Sequence, residues 1–296
     1  MSAVRVLERV TRPAPFGFRF LDVATGSPVP DGLDVTVTST RNTARRAALT
    51  VNGKSVWYAH RFPGFADHVL TETPDWSALA QPCRVSVTDR LGRFLPLDVE
   101  IALPMRGIVD WPGWAGLPQA LLAPLTRTDD ASPPAVMRDA LPLFSAAGRI
   151  APGPLAEVRC QLLRDDTGAP AAWALLTASH GGIVRAIGQA DAQGRVILFF
   201  AYPDRPRPSL ATSPPAITDF RWSIELAAYW NALDPAATPD FAALMGQLTH
   251  PRTLFESTVP PRSPLPSQLL SFGRALVVRT AATPGGPSSS VVMATS

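Results

Sequence analysis

Asp165-Asp166-Thr167-Gly168-Ala169-Pro170 and Asp191-Ala192-Gln193-Gly194-Arg195-Val196-Ile197-Leu198-Phe199-Phe200 decide how this chain is read. Each begins with turn-forming residues. An Asp side chain accepts hydrogen bonds from backbone amides two or three positions on, and Gly supplies the positive φ that finishes a tight turn. The second stretch runs directly into apolar residues, as a chain does when it re-enters a sheet as a buried strand. Ala172-Trp173-Ala174-Leu175-Leu176, between the two turns, is apolar as well. Turn, strand, turn, strand is an antiparallel β pattern.

The same two signatures occur earlier in the chain. Thr25-Gly26-Ser27-Pro28 matches Thr167-Gly168-Ala169-Pro170, and Asp89-Arg90-Leu91-Gly92-Arg93-Phe94 matches Asp191 through Val196. The glycines are 26 positions apart in the later copy and 66 in the earlier one, which also has Ala24 where an acidic residue leads the later turn. An insertion around a hairpin at Asn52-Gly53 accounts for the longer spacing. Other stretches agree with this reading. Leu33-Asp34-Val35-Thr36-Val37 and Arg84-Val85-Ser86-Val87-Thr88 alternate with period two, as half-buried strands do. Trp222, Ile224, Leu226, Ala228 and Trp230 also alternate; helical spacing is open there too, with strand favoured. The segment 241–248 is the best helical turn of the chain.

Composition points the same way. The chain has 296 residues, enough for about two ordinary domains. It contains 32 Pro and 20 Gly, and only 17% of its residues are charged. Each interior proline costs a helix about 3 kcal/mol, so a helical bundle or coiled coil is excluded. An apolar fraction of 46% with so little charge excludes disorder throughout. The expectation is a mainly all-β chain with one or two short helices. It has an N-terminal β-sandwich over 1–103, a Pro-rich packed linker over 104–153, and a C-terminal β-sandwich over 154–296 with a helical insertion near 239–250. The linker carries Trp111, Trp114, Leu143 and Phe144, side chains that a free-floating tether lacks.

A D-x-T-G-x-P turn followed by a D-x-x-G-R-F turn resembles the carboxypeptidase regulatory-like, or transthyretin-like, β-sandwich family. The match covers less than half of the chain and is best over 165–200. The resemblance implies an Ig-like sandwich without catalytic residues, serving as spacer, stabiliser or interaction surface. The structural turn residues it carries over are Gly26, Asp89, Gly92, Gly168, Asp191 and Gly194. The overall run also resembles accessory structural proteins of contractile, phage-tail-like injection systems. That likeness rests on the opening Phe18-Arg19-Phe20 strand, Leu143-Phe144-Ser145, the end of the strand at Phe199, and Phe272-Gly273-Arg274-Ala275-Leu276.

Candidate chemistry is sparse. Gly53-Lys54-Ser55 lacks the first glycine of a phosphate loop, since position 48 is Ala. His60, His68, His180 and His250 form no zinc spacing, and His180-Gly181-Gly182 comes without a nucleophile elbow. Asp129-Asp130 and Asp165-Asp166 are adjacent, whereas glycoside hydrolysis needs carboxyls facing each other across a cleft. Cys83 and Cys160 are expected to be reduced and buried. Net charge is +3 and the arginines are scattered, the nearest to a cluster being Arg41, Arg45 and Arg46, which argues against a nucleic-acid stripe.

No catalytic residue, metal or cofactor is expected, and the protein is read as not an enzyme. Its first residues lack the apolar core of a secretory signal and no run is long enough for a membrane span, so a cytoplasmic protein is expected. The leading functional expectation is a structural component of a bacterial multi-protein assembly, most specifically a contractile injection system, with other protein subunits as partners and a homo-oligomer compatible. The alternative is a carbohydrate- or cell-surface-binding module. Trp57, Trp111 and Trp114 are the interface candidates, because exposed indoles make hot spots and sugar platforms.

Overall fold

The computed structural model describes residues 14–65, 80–105, 108–109, 111, 117–127, 135–136, 139–204, 216–258, 260–280 and 290–295. Its first principal strand is β1 (Phe20–Asp22). Next come β2 (Leu33–Ser39), the short β3 (Arg46–Ala48), β4 (Gln81–Asp89) and β5 (Leu97–Leu103). The last four form one antiparallel sheet in the order β3-β2-β4-β5. Register aligns Val35 with Val87, Val37 with Val85, and Val85 with Val99. That parity buries Leu33, Val35, Val37, Cys83, Val85, Val87 and Val99. It turns Asp34, Thr36, Arg84, Ser86 and Thr88 to the other face, so the period-two pattern of the sequence is a real half-buried sheet.

Aromatic side chains cover the buried face. β1 pairs with Ser27–Pro28 on one side and, in parallel, with Leu141–Leu143 (β6) on the other. Gly17–Phe18, Trp57–Tyr58 and Thr50–Val51 form a second small sheet. The Phe18 and Trp111 rings lie 5.2 Å apart, and Phe20 meets Trp57 at 6.1 Å. The hairpin expected at Asn52-Gly53 exists, but its left-handed residue is Ser55. The Asn52 side chain accepts the amides of Lys54 and Val56, so a longer Asn-capped loop replaces a two-residue turn.

The second half contributes β7 (Ala156–Arg164), β8 (Leu175–His180), β9 (Ile183–Gln189), β10 (Arg195–Phe200), β11 (Arg221–Tyr229), β12 (Gln268–Ser271) and β13 (Val291–Met293). β10, β7 and β13 make one sheet, closed by Leu254–Phe255. β9, β8 and β11 make the other, with β12 and Pro251–Arg252 both pairing with β11. Between the two sheets lie Val158, Leu162, Leu176, Leu198, Trp222, Ile224 and Met293. β11 alternates in burial from Arg221 to Glu225, so the strand reading of this stretch holds.

The two sandwiches share a core. β8 buries four successive residues, 175–178, because both of its faces are covered. Leu176 and Ala178 face the second sandwich. Leu175, Ile187 and Tyr229 join Trp173 in a cluster continuous with the first sandwich. The helix α1 (Phe241–Gly246) and the 3-10 segment Gln119–Leu125 fill the junction with Phe241, Leu244, Met245, Leu122 and Leu125. Asp240 starts α1 by accepting the amides of Ala242 and Ala243, where a helical turn is expected. The described parts of 104–153 therefore do more than connect: they give β6, Val109, Trp111 and Leu122 to the core. The chain is all-β in the main.

Candidate functional site

The four turns are the residues on which the sequence reading leans most, and they match in pairs. In the Thr-Gly turns the Gly26 amide donates to the Asp22 carbonyl at 2.8 Å and the Gly168 amide to the Arg164 carbonyl at 2.9 Å. Their φ values are +67° and +68°. Thr25 Oγ1 accepts the Ser27 amide and Thr167 Oγ1 accepts the Ala169 amide, both at 3.3 Å. In the Asp-Gly turns Gly92 and Gly194 have φ of +66° and +72°. Asp89 accepts the Leu91 and Arg93 amides, and Asp191 accepts the Gln193 and Arg195 amides. In each, the arginine after the glycine folds back onto the same Asp, Arg93 Nε at 3.1 Å and Arg195 Nε at 2.8 Å. Burial works to raise the Asp89 carboxyl, but the Arg93 guanidinium and the Arg93 and Leu91 amides outweigh it and hold the group below the ordinary aspartate value.

Beyond the turns the copies diverge. After Gly194 the chain crosses to the other sheet as β10 and pairs with β7. After Gly92 only 93–95 pair across, through Ala146 and Leu95 amides that donate to Arg93 and Phe144 carbonyls. Pro96 then interrupts the ladder because it has no amide hydrogen, and β5 returns beside β4.

A buried ion pair is the feature that the sequence did not disclose. Arg149 reaches both carboxylate oxygens of Asp22, at 2.8 and 2.6 Å, and the Ser145 hydroxyl at 2.9 Å. Its guanidinium lies 4.8 Å from the Phe94 ring and 6.0 Å from Phe199, so side chains of both halves enclose it. Asp22 also accepts the Ala24 amide and the Thr25 hydroxyl; it is the acid of the earlier Thr-Gly turn, two positions before Ala24, where the later copy places an acidic residue. Backbone carbonyls at Ala147 and Arg149 receive Arg159 of β7. The partners are 127 positions apart, and no local pattern signals such a pair.

The interface candidates need correction. Trp57 and Trp111 are 3% and 2% exposed, so neither is a surface platform. Trp57 donates to the Val29 carbonyl inside the first sandwich, and Trp111 packs on Phe18 and Phe20. Within the proline-rich linker Trp111 is expected at an interface, but its ring instead closes the aromatic cluster of the first sandwich. Trp114 lies outside the described residues, as do His68, Asp129 and Asp130.

The remaining polar candidates have local partners. Asp165 accepts Thr295 and pairs with Arg262, whereas Asp166 pairs with Arg164, so the neighbouring carboxylates diverge. His180 Nδ1 meets the Ser223 carbonyl. Both cysteines are free and buried, and burial pushes their thiols up to about 11 at Cys83 and about 12 at Cys160. Among the described residues no three His, Cys, Asp or Glu side chains are grouped to hold a metal ion, and no helix is long and apolar enough to cross a membrane.

One exposed feature stands apart. From Val35 to Ala66 the chain has no Asp or Glu but contains Arg41, Arg45, Arg46, Lys54 and Arg61. All five are exposed. Arg46 also lines a shallow recess on the polar face of the first sheet with Asp34, Thr36, Ser86 and Thr88. No family model, curated protein or solved structure matches this chain.

Proposed function

We propose that this protein is a non-enzymatic structural component of a bacterial multi-protein assembly. The observation that carries the reading is the way its buried charge is used. Asp22, Asp89 and Asp191 are taken up by backbone amides and by arginines, and the Asp22–Arg149 pair fixes the connecting segment to the first sandwich where the two sandwiches share a core. Buried charge of this kind fixes geometry more than it adds stability. A rigid double sandwich suits a part that spaces or aligns neighbouring subunits. The paired turns support a repeat of carboxypeptidase regulatory-like type, and an accessory of a contractile, phage-tail-like injection system is the specific setting we propose. The carbohydrate-binding alternative loses two of its three indole platforms to the core. Sedimentation of source-cell lysate tests the proposal: the protein should travel with a particle far larger than itself, and turnover of peptide, ester or glycoside substrates by purified protein would overturn it.

A further inference from the structure

We infer that β3 is a docking edge for an acidic, extended segment of a partner protein, which adds to the first sheet as a further strand. This deepens the assembly reading and rests on it. β3 is the end strand of its sheet, and no strand among the described residues pairs with its outer side. Arg45 and Leu49 hydrogen-bond with Ser39 and Val35 of β2. Antiparallel alternation therefore leaves the amide and carbonyl groups of Arg46 and Ala48 directed to the open edge. The side chains flank that edge on both faces. Arg46 stands on the polar face, beside Thr36 and Ser86. Arg45 is on the opposite face, its guanidinium against Gly64, which brings the loop carrying Arg61 to the same edge.

Several other arginines are taken up by carboxylates within the fold. Arg19, Arg84, Arg93, Arg149, Arg195 and Arg262 each reach a carboxylate. Among the described residues Arg41, Arg45, Arg46 and Arg61 have no carboxylate within ion-pair distance, and all four are exposed. Charges on a sheet edge repel another copy of the same edge, so a second copy of this chain is disfavoured at β3. An acidic strand is attracted instead, with carboxylates at neighbouring positions meeting Arg46 on one face and Arg45 and Arg61 on the other. The open edge offers carbonyls as well as amides. A peptide backbone satisfies both, whereas a phosphodiester or lipid headgroup brings acceptors alone.

The test uses the full chain and a short fluorescent peptide in which pairs of adjacent Glu are separated by single Val residues, so that its carboxylates project from both faces of the strand, with fluorescence anisotropy as the readout. Binding is expected, and it should weaken as salt rises. It should fall about tenfold or more in the Arg45→Glu, Arg46→Glu double variant. The same peptide N-methylated at every backbone nitrogen, which removes the amide donors of both its edges, should lose binding as well. Arg46→Gln serves as a milder substitution if the double variant unfolds. Failure of the Glu-Val peptide to bind overturns the inference, and so does equal binding by the N-methylated peptide or by the charge-reversed protein. Tighter binding to a short DNA duplex than to the peptide also overturns it and assigns the edge to nucleic acid. Sedimentation with a large particle is read separately, so a failed edge does not count as a failed assembly.

Discussion

Replacing Gly92 and Gly194 by Ala compares two turns that share a motif but not an environment. Both residues are left-handed, and a side chain there costs roughly 1–2 kcal/mol from backbone sterics alone. At Gly92 a Cβ meets nothing within 4 Å, so Gly92→Ala should stop at about 1 kcal/mol. At Gly194 the Cβ would intrude on the Leu162 carbonyl oxygen and come within 3.3 Å of the Ala171 nitrogen. Both atoms are backbone and cannot swing aside. The Leu162 amide donates to the Gly194 carbonyl at 2.8 Å and the Ala171 amide to the Leu162 carbonyl at 2.9 Å, and relief of the clash strains these bonds, each contributing about 1 kcal/mol. Gly194→Ala should therefore cost about 3–4 kcal/mol in all, a sum of the steric and hydrogen-bond contributions. For a chain of this size 1 kcal/mol is about 2 °C in Tm, so drops of about 2 °C and about 7 °C are expected by circular dichroism. Equal losses at the two sites, or a loss at Gly92 exceeding that at Gly194, would refute the reasoning.

Three further outcomes are expected. Arg149→Met should cost about 3–5 kcal/mol in urea unfolding because it strands a buried carboxylate, and Asp22→Asn in the same protein should recover part of that loss; strict additivity of the two would show that the pair does not couple. Asp98 is held above the ordinary aspartate value by burial first, with Asp240 and Glu100 adding to it against Ser86 and Arg84. Its carboxylate therefore opposes folding at neutral pH and ceases to do so as pH falls through its folded value, so Asp98→Asn should raise Tm at pH 7 and lose that advantage in acid. A gain that persists unchanged in acid contradicts this. Trp111→Ala should lower stability by about 3–5 kcal/mol, as core indoles do, and a variant of unchanged Tm would return Trp111 to the surface.

The sequence carried its local information well. Val35-Thr36-Val37, Arg84 through Thr88 and Trp222 through Tyr229 form strands because alternation of apolar and polar side chains is written in neighbouring residues. The Asp-Gly and Thr-Gly turns became matched turns because their hydrogen bonds span five residues or fewer. What it hid was long-range. Asp22 and Arg149 meet across 127 positions, and Leu175 and Leu176 read as one apolar run although they serve two different cores. Trp57 and Trp111 misled because indole in proline-rich or hairpin sequence signals a surface, until the open face of the aromatic cluster is seen. The basic edge was half visible: Arg41, Arg45 and Arg46 are neighbours in sequence, but Arg61 joins them only through the packing of Arg45 on Gly64.

The most direct measurement of the account is the size of the species that holds this protein in its source cells. An epitope-tagged chain expressed from its own locus, followed through a sucrose gradient, should peak with a particle many times its own mass and remain there after nuclease treatment. Recovery of the protein as a free monomer throughout growth would contradict the assembly role.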